Sequence, residues 1–344
     1  MDNLRIKILT AFVVTLTLSS AYGCFVLSPT CFGMRGGIFF STPSIKSPPI
    51  NFGFELWPGF LIVPLAEKLG YFQDEGLNVE LHTYLSVDDL VDDVRSGKIN
   101  ARAGLTSEIV YEARDHGIHA YIVLITDRSL GADAVLTRKG ARPIAISKGS
   151  KIAYIGKPDF FVEWALRSFN MSPKDYEFID AGSEEASVEL LQKGLVDHII
   201  TYEPYVSMAK DVGATEEYTS AASPGVITDV IAFNAAYVEE YGSAIEAFAR
   251  AYFRAYDFWK TNPNEAYRIV RNTFHITESE FRQQMRGIEM LDKDANKSSM
   301  YIYSGLGSIY GNIRLINLFA NQYTSIPSLN PDRLIYPNAI RSLP

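Results

Sequence analysis

Cysteine is nearly absent from this chain. Its 344 residues include two, Cys24 and Cys31, both close to the N-terminus. The body beyond them can therefore hold neither a cysteine-rich zinc site nor a catalytic thiol, and it suits an oxidising compartment, where stray thiols are a hazard. A basic surplus is missing too. With 32 Lys and Arg against 40 Asp and Glu the formal net charge is −8, which argues against a nucleic-acid partner. No Gly-x-x-x-x-Gly-Lys loop occurs, so the chain has no phosphate cradle for hydrolysing ATP. The histidines, His82, His116, His119, His198 and His275, show no metal-type spacing. No metal or other cofactor is implied. Beyond the N-terminal segment no apolar run is long enough for a transmembrane helix, and there is no internal repeat or long low-complexity tract.

What is present is enough for two domains of ordinary size with a packed core, since 47% of residues are hydrophobic and 21% charged. Arg5 and Lys7 precede an apolar run over 8–18, followed by Ser19, Ser20, Ala21 and Gly23. That order is the one found in a secretory signal, placed here at 1–23. Ala21-Tyr22-Gly23-Cys24 resembles a lipoprotein cleavage box, with Ala21 where such boxes prefer Leu; Cys24 would then be the lipidated first residue. Ordinary cleavage would instead leave Cys24 and Cys31 free to pair. Residues 24–49 are rich in Ser, Pro and Gly and read as a tether.

The rest alternates strands with helices. A strand over 51–54 leads into Trp57-Pro58-Gly59 and an apolar helix with Leu61, Leu65 and Leu69 on one face and Pro64 in its first turn. Further strands are expected at 79–81, 101–105, 120–125 and 132–136. The run over 120–125 is apolar throughout, as in a sheet buried on both faces. A second α/β run covers 151–155, 177–179 and 197–201 with helices between, and an extended apolar segment returns at 226–234. Helices are expected over 265–274 and 278–291, and the Pro-rich stretch 326–344 is expected along the surface. Such alternation indicates α/β architecture with mainly parallel sheets, and two passages between them make a hinge. Loops after the strand ends gather on one edge, where open α/β sheets bind ligands.

Four segments, LWPGFLIVPLAEKLGYF at 56–72, SLGADAVL at 129–136, VDHIITYEPY at 196–205 and PGVITDVIAFNAAYVEEY at 224–241, resemble the substrate-binding proteins of ABC importers, in the nitrate, taurine and thiamine-precursor group. The resemblance spans nearly all of 51–274. It implies a two-lobed flytrap, lobe 1 being 51–137 with 229–344 and lobe 2 being 138–228. It also implies a small-molecule ligand, a membrane permease with its cytoplasmic ATPase as partners, and a place outside the cytoplasmic membrane, in the periplasm or held there by a lipid on Cys24. It implies no enzymatic activity. One departure is plain. Related proteins often carry Tyr-Glu-Pro after the Trp-Pro-Gly, whereas here Phe60-Leu61-Ile62-Val63-Pro64 offers no carboxylate.

The candidate ligand-binding residues each have a second reading. Trp57 walls the cleft or plugs the core. Gly59 lets backbone approach a ligand or only makes a turn. Thr106 and Ser107 cap a helix, face the cleft, or both. Ser129, Gly131 and Asp133 lie on the first crossing, and Asp133 bonds a ligand amine or a hinge group. Tyr202 and Glu203 follow a lobe 2 strand; Glu203 meets the ligand or caps the next helix. Asp229 lies at the return crossing. Asp127 reads as a turn residue, and Phe160 and Phe161 as core. Acidic candidates outnumber the basic ones, Arg128 and Lys157, which favours a neutral or cationic, partly aromatic solute with N–H donors, such as a pyrimidine, over a sulfonate-like anion. A sensor that signals without transport fits the same sequence. A thiamine-pyrimidine synthase fits poorly, because such enzymes use a cysteine-rich motif that this body lacks.

Overall fold

The computed structural model describes residues 46–156, 158–322, 326–341 and 343. The signal, Cys24, Cys31, Lys157 and all but the last four residues of the tether lie outside them. Eleven strands among the described residues form two sheets. They are β1 (Ile50–Glu55), β2 (Val79–Tyr84), β3 (Ala101–Leu105), β4 (Ala120–Ser129), β5 (Asp133–Thr137), β6 (Lys151–Tyr154), β7 (Glu177–Asp180), β8 (His198–Tyr202), β9 (Thr215–Thr219), β10 (Thr228–Asn234) and β11 (Ile288–Met290).

The first sheet has the order β11-β4-β10-β3-β1-β2. β1, β2, β3 and β4 run one way, and β10 is inserted antiparallel between β3 and β4. The second sheet has the order β7-β6-β8-β5-β9, with β5 running against the other four. β11 also runs against β4, so both sheets are mixed, with most strands of each running one way as the alternation predicts. β5, placed with the first lobe from sequence, hydrogen-bonds in the second sheet between β8 and β9.

Phe248 shows how the first sheet is covered. It lies in the second turn of helix Gly242–Thr261, is fully buried, and meets Phe52 of β1, Phe72 and Phe233 of β10 at ring separations of 6.0, 4.9 and 5.1 Å. Burying such side chains contributes about 1.5–3 kcal/mol each. A smaller core of Leu136, Ala153, Val188, Leu191, Ile199 and Val206 covers one face of the second sheet.

The chain passes between the sheets at 130–132 and returns at 220–227. The two passages are tied together. Ser129 Oγ lies 2.6 Å from Ser220 Oγ, and the Gly131 amide donates to Ser220 Oγ at 2.8 Å. The helix expected over 278–291 stops at Gln284. Gly287 has φ +80° and packs so tightly on the first passage that a Cβ would lie 2.6 Å from the Ala132 nitrogen. β11 then pairs with the end of β4. The C-terminal stretch is also not a surface strap. Leu334, Ile335, Ala339, Ile340 and Leu343 are buried, and Ile122 exchanges backbone hydrogen bonds with Leu334 and Tyr336. Its apolar residues outweigh its prolines. No helix among the described residues is long and apolar enough to cross a membrane.

Candidate functional site

The site grows from the turn after β1. Pro58 opens a short 3-10 turn, Pro58–Phe60, and Pro64 occupies the third position of helix Ile62–Lys68, where its missing N–H costs nothing. Leu61 and Leu65 are fully buried and fix this helix on the sheet. The turn thereby presents Trp57, half-buried, to the second sheet. Its indole meets the Tyr202 ring edge-on at 5.9 Å and 87°. Tyr202 ends β8 and packs on Tyr205 at 5.6 Å and 85°. Such pairs contribute about 0.5–1.5 kcal/mol beyond area burial. Trp57 and Tyr202 therefore meet across the gap between the sheets.

Beneath Trp57 lies Asp127, which is not a turn residue. β4 continues past the apolar run to Ser129, and Asp127 is fully buried within it. Trp57 Nε1 donates to Asp127 Oδ1 at 3.4 Å and Thr126 Oγ1 donates to Oδ2 at 2.9 Å. Gly59 is needed here because a Cβ would collide with the Asp127 carboxylate and approach Trp57 Nε1 to 2.6 Å. Directly opposite Asp127 on β10 stands Asp229, buried as well. Burial pushes the Asp127 carboxyl up to about 6, against its bonds to Thr126, Trp57 and Asp229. Asp229 is pushed well above the carboxylate range by burial and by the Asp127 charge. Like charges this close cannot both ionise cheaply.

More carboxylates converge on the same gap. Asp133 begins β5 opposite Tyr202 in register and is pushed up to about 7 by burial and by Asp159, Asp127 and Glu184. Asp159 caps helix Phe160–Ser168 by accepting from the Val162 amide at 3.0 Å, and burial raises it. Glu184 accepts from Thr201 Oγ1 at 2.7 Å and is raised by burial. Glu55, at the end of β1, is pushed up to about 7 by burial and by Glu108. Arg102, whose charge acts on Glu55, is buried and held by Glu108 and Glu112. Arg128 turns to the other face, toward Ser299 and the Gly307 carbonyl. Among the described residues no group of three His, Cys, Asp or Glu side chains is placed to hold a metal ion.

Of the residues singled out from sequence, Trp57, Gly59, Asp133, Tyr202 and Asp229 come together here. Ser129 serves the passage between sheets. Thr106 does not cap its helix. It is the first helical residue, and its hydroxyl donates to the Thr228 carbonyl at 2.9 Å, binding helix Thr106–Asp115 to β10; Ser107 is buried in the same turn. Glu203 accepts from the Ser207 amide at 3.1 Å and hydroxyl at 2.9 Å, so its carboxylate is spent on helix Tyr205–Asp211. Phe160 and Phe161 are buried, as expected. Asp127 was missed, although an aspartate inside an otherwise apolar strand was a signal. Glu55 and Glu184 were missed without one.

The comparisons with known proteins agree with this architecture. The chain is similar to the 4-amino-5-hydroxymethyl-2-methylpyrimidine phosphate synthase of Candida albicans, 20% identical over 290 residues, covering 80% of this chain and 82% of that protein. It is also similar to the nitrate import ATP-binding protein NrtC of Synechococcus elongatus, 28% identical over 178 residues; this covers 46% of the chain and only 27% of that relative's length. Among solved structures, the periplasmic aliphatic sulphonate binding protein SsuA of Escherichia coli superposes with a TM-score of 0.64 at 14% identity, covering 84% of this chain and 92% of that one. The NMT1/THI5-like family matches residues 57–266, and the chain belongs to that family.

Proposed function

We propose that the protein is an extracytoplasmic solute-binding protein of an ABC importer, capturing a small organic solute between its two sheets and delivering it to a permease and its ATPase. The observation that carries this reading is the Trp57–Tyr202 contact across the gap, ringed by carboxylates with raised pKa values. Each sheet with its helices is one lobe, and residues 130–132 and 220–227 are the hinge. Ligand binding would favour the closed form by its differential affinity for it. An acidic, aromatic-walled cleft suits a neutral or cationic solute with N–H donors. It is a poor host for nitrate or a sulphonate, the anions in the names of two similar proteins, because no free guanidinium faces it among the described residues. Export by the segment 1–23 and a lipid anchor on Cys24 belong to this reading, and intact-mass analysis of membrane-extracted wild type and Cys24→Ser checks the anchor.

The direct test is thermal stabilisation and Trp57 fluorescence with a panel of small solutes. A saturable response that disappears in Trp57→Ala supports the reading; no response to any solute sinks it. The likeness to the Candida synthase favours a second reading, an enzyme on this fold. Absorbance from retained pyridoxal phosphate in purified protein would establish it over the first.

A further inference from the structure

Asp127 and Asp229 stand directly opposite each other on neighbouring antiparallel strands, which for like charges is destabilising unless something intervenes. Both are buried and bonded to one another. No ion pair with a Lys, Arg or His is made by either among the described residues, since Arg102 is held by Glu108 and Glu112 and Arg128 points away. A second observation lies next to the pair. The Tyr252 hydroxyl, on helix Gly242–Thr261, is fully buried without a hydrogen-bond partner, and Asp127 is the charge acting on it most strongly. A buried donor left unmatched is costly and marks a place where a polar partner belongs. The remaining groups facing the pair are Glu108, already ion-paired, and Asp133 across the gap.

We propose that the Asp127–Asp229 pair is the charge-selecting element of the cleft, admitting a monocationic N–H group such as an ammonium or amidinium and rejecting anions. The inference rests on the solute-binding reading above and deepens it. Asp229 retains the exposed edge, about 5% of its surface, so the ligand's charged group meets Asp229, and Asp127 backs it while holding the Trp57 N–H. Without ligand the two carboxyls share one proton and carry one negative charge. The arriving cation pairs with Asp229 at its exposed edge in place of the shared proton, and the proton leaves to solvent. The pair with its ligand again carries one negative charge, so charge balances. Cation binding therefore releases up to one proton, and the planar part of the ligand lies against Trp57 and Tyr202.

The test uses three probes of one shape, benzamidinium, benzamide and benzenesulfonate, titrated calorimetrically into the protein at pH 6.5 in two buffers of different ionisation enthalpy. The expected result is binding of benzamidinium at least about tenfold tighter than of benzamide. Benzenesulfonate should give no heat, and benzamidinium should release a fraction of a proton approaching one. Asp229→Asn should abolish both the preference and the proton release; the wild-type comparison stands whether or not that variant folds. Equal or tighter binding of benzamide or benzenesulfonate, or benzamidinium binding with no proton released, overturns the charge selection and leaves the cleft standing as a binding site. No response to any of the three, with Trp57 fluorescence unchanged, overturns the charge selection and the solute-binding reading together.

Discussion

Two groups of buried charge in the first sheet are handled in opposite ways. Around Arg102 the charge is cancelled from within: one guanidinium on β3 lies between Glu108 and Glu112 of the adjoining helix. At Asp127 and Asp229 two like groups face each other on β4 and β10, and among the described residues neither is ion-paired with a Lys, Arg or His. The first group needs nothing from outside the chain and behaves as structure. The second is costly unless a proton or another cation completes it. A protein that tolerates such an incomplete group does so at a functional site more often than elsewhere.

The largest expected effect breaks the first group. Arg102→Met strands Glu108 and Glu112 and should cost about 3–5 kcal/mol of stability, read from urea unfolding. Trp57→Ala removes the aromatic wall instead. It should weaken solute binding by about 2 kcal/mol or more while lowering stability by only about 1 kcal/mol. If it chiefly unfolds the protein, Trp57 belongs to the core. Gly59→Ala presses a methyl onto Asp127 and the indole and should cost about 1–3 kcal/mol, with a shifted Trp57 emission that Gly70→Ala does not show. The smallest effect concerns a third buried group. His198 lies between Thr137 Oγ1 at 2.8 Å and Ser147 Oγ at 2.9 Å, and burial lowers its pKa. The folded state thus resists the proton that the unfolded chain accepts below about pH 6.5. Stability present above that pH should fall as pH drops through it, by about 1 kcal/mol between pH 7.5 and 5.5, and His198→Gln should flatten this slope.

Much of the scaffold is legible in the sequence. Alternation of apolar runs marked most of the strands, and the Trp-Pro-Gly turn before an apolar helix marked Trp57 and Gly59 because both cues are local. Asp127 could not be read as half of a pair. Its partner lies 102 positions along the chain, and only the register of β10 between β3 and β4 brings the two opposite. For Glu203 the sequence leaves ligand contact and helix cap open for a related reason. Its neighbour Tyr202 does face the gap, but Ser207, one turn ahead, captures the carboxylate. The C-terminal stretch was read by its prolines rather than by Leu334, Ile335 and Ile340, whose burial depends on a site beside β4 that sequence does not display.

The most direct measurement is the melting of wild type and Asp229→Asn from pH 4 to pH 8. In the folded protein the pair's pKa lies above the ordinary aspartate value, so its contribution is complete near pH 4 and is lost as pH rises through the folded pKa. An asparagine supplies the N–H that the shared proton supplies, at every pH. The two proteins should melt alike near pH 4, and the variant should be the more stable by about 1–2 kcal/mol at pH 8. At that pH it should also have lost its affinity for benzamidinium. A variant that is less stable than wild type across the whole range, with benzamidinium bound as before, would contradict the account.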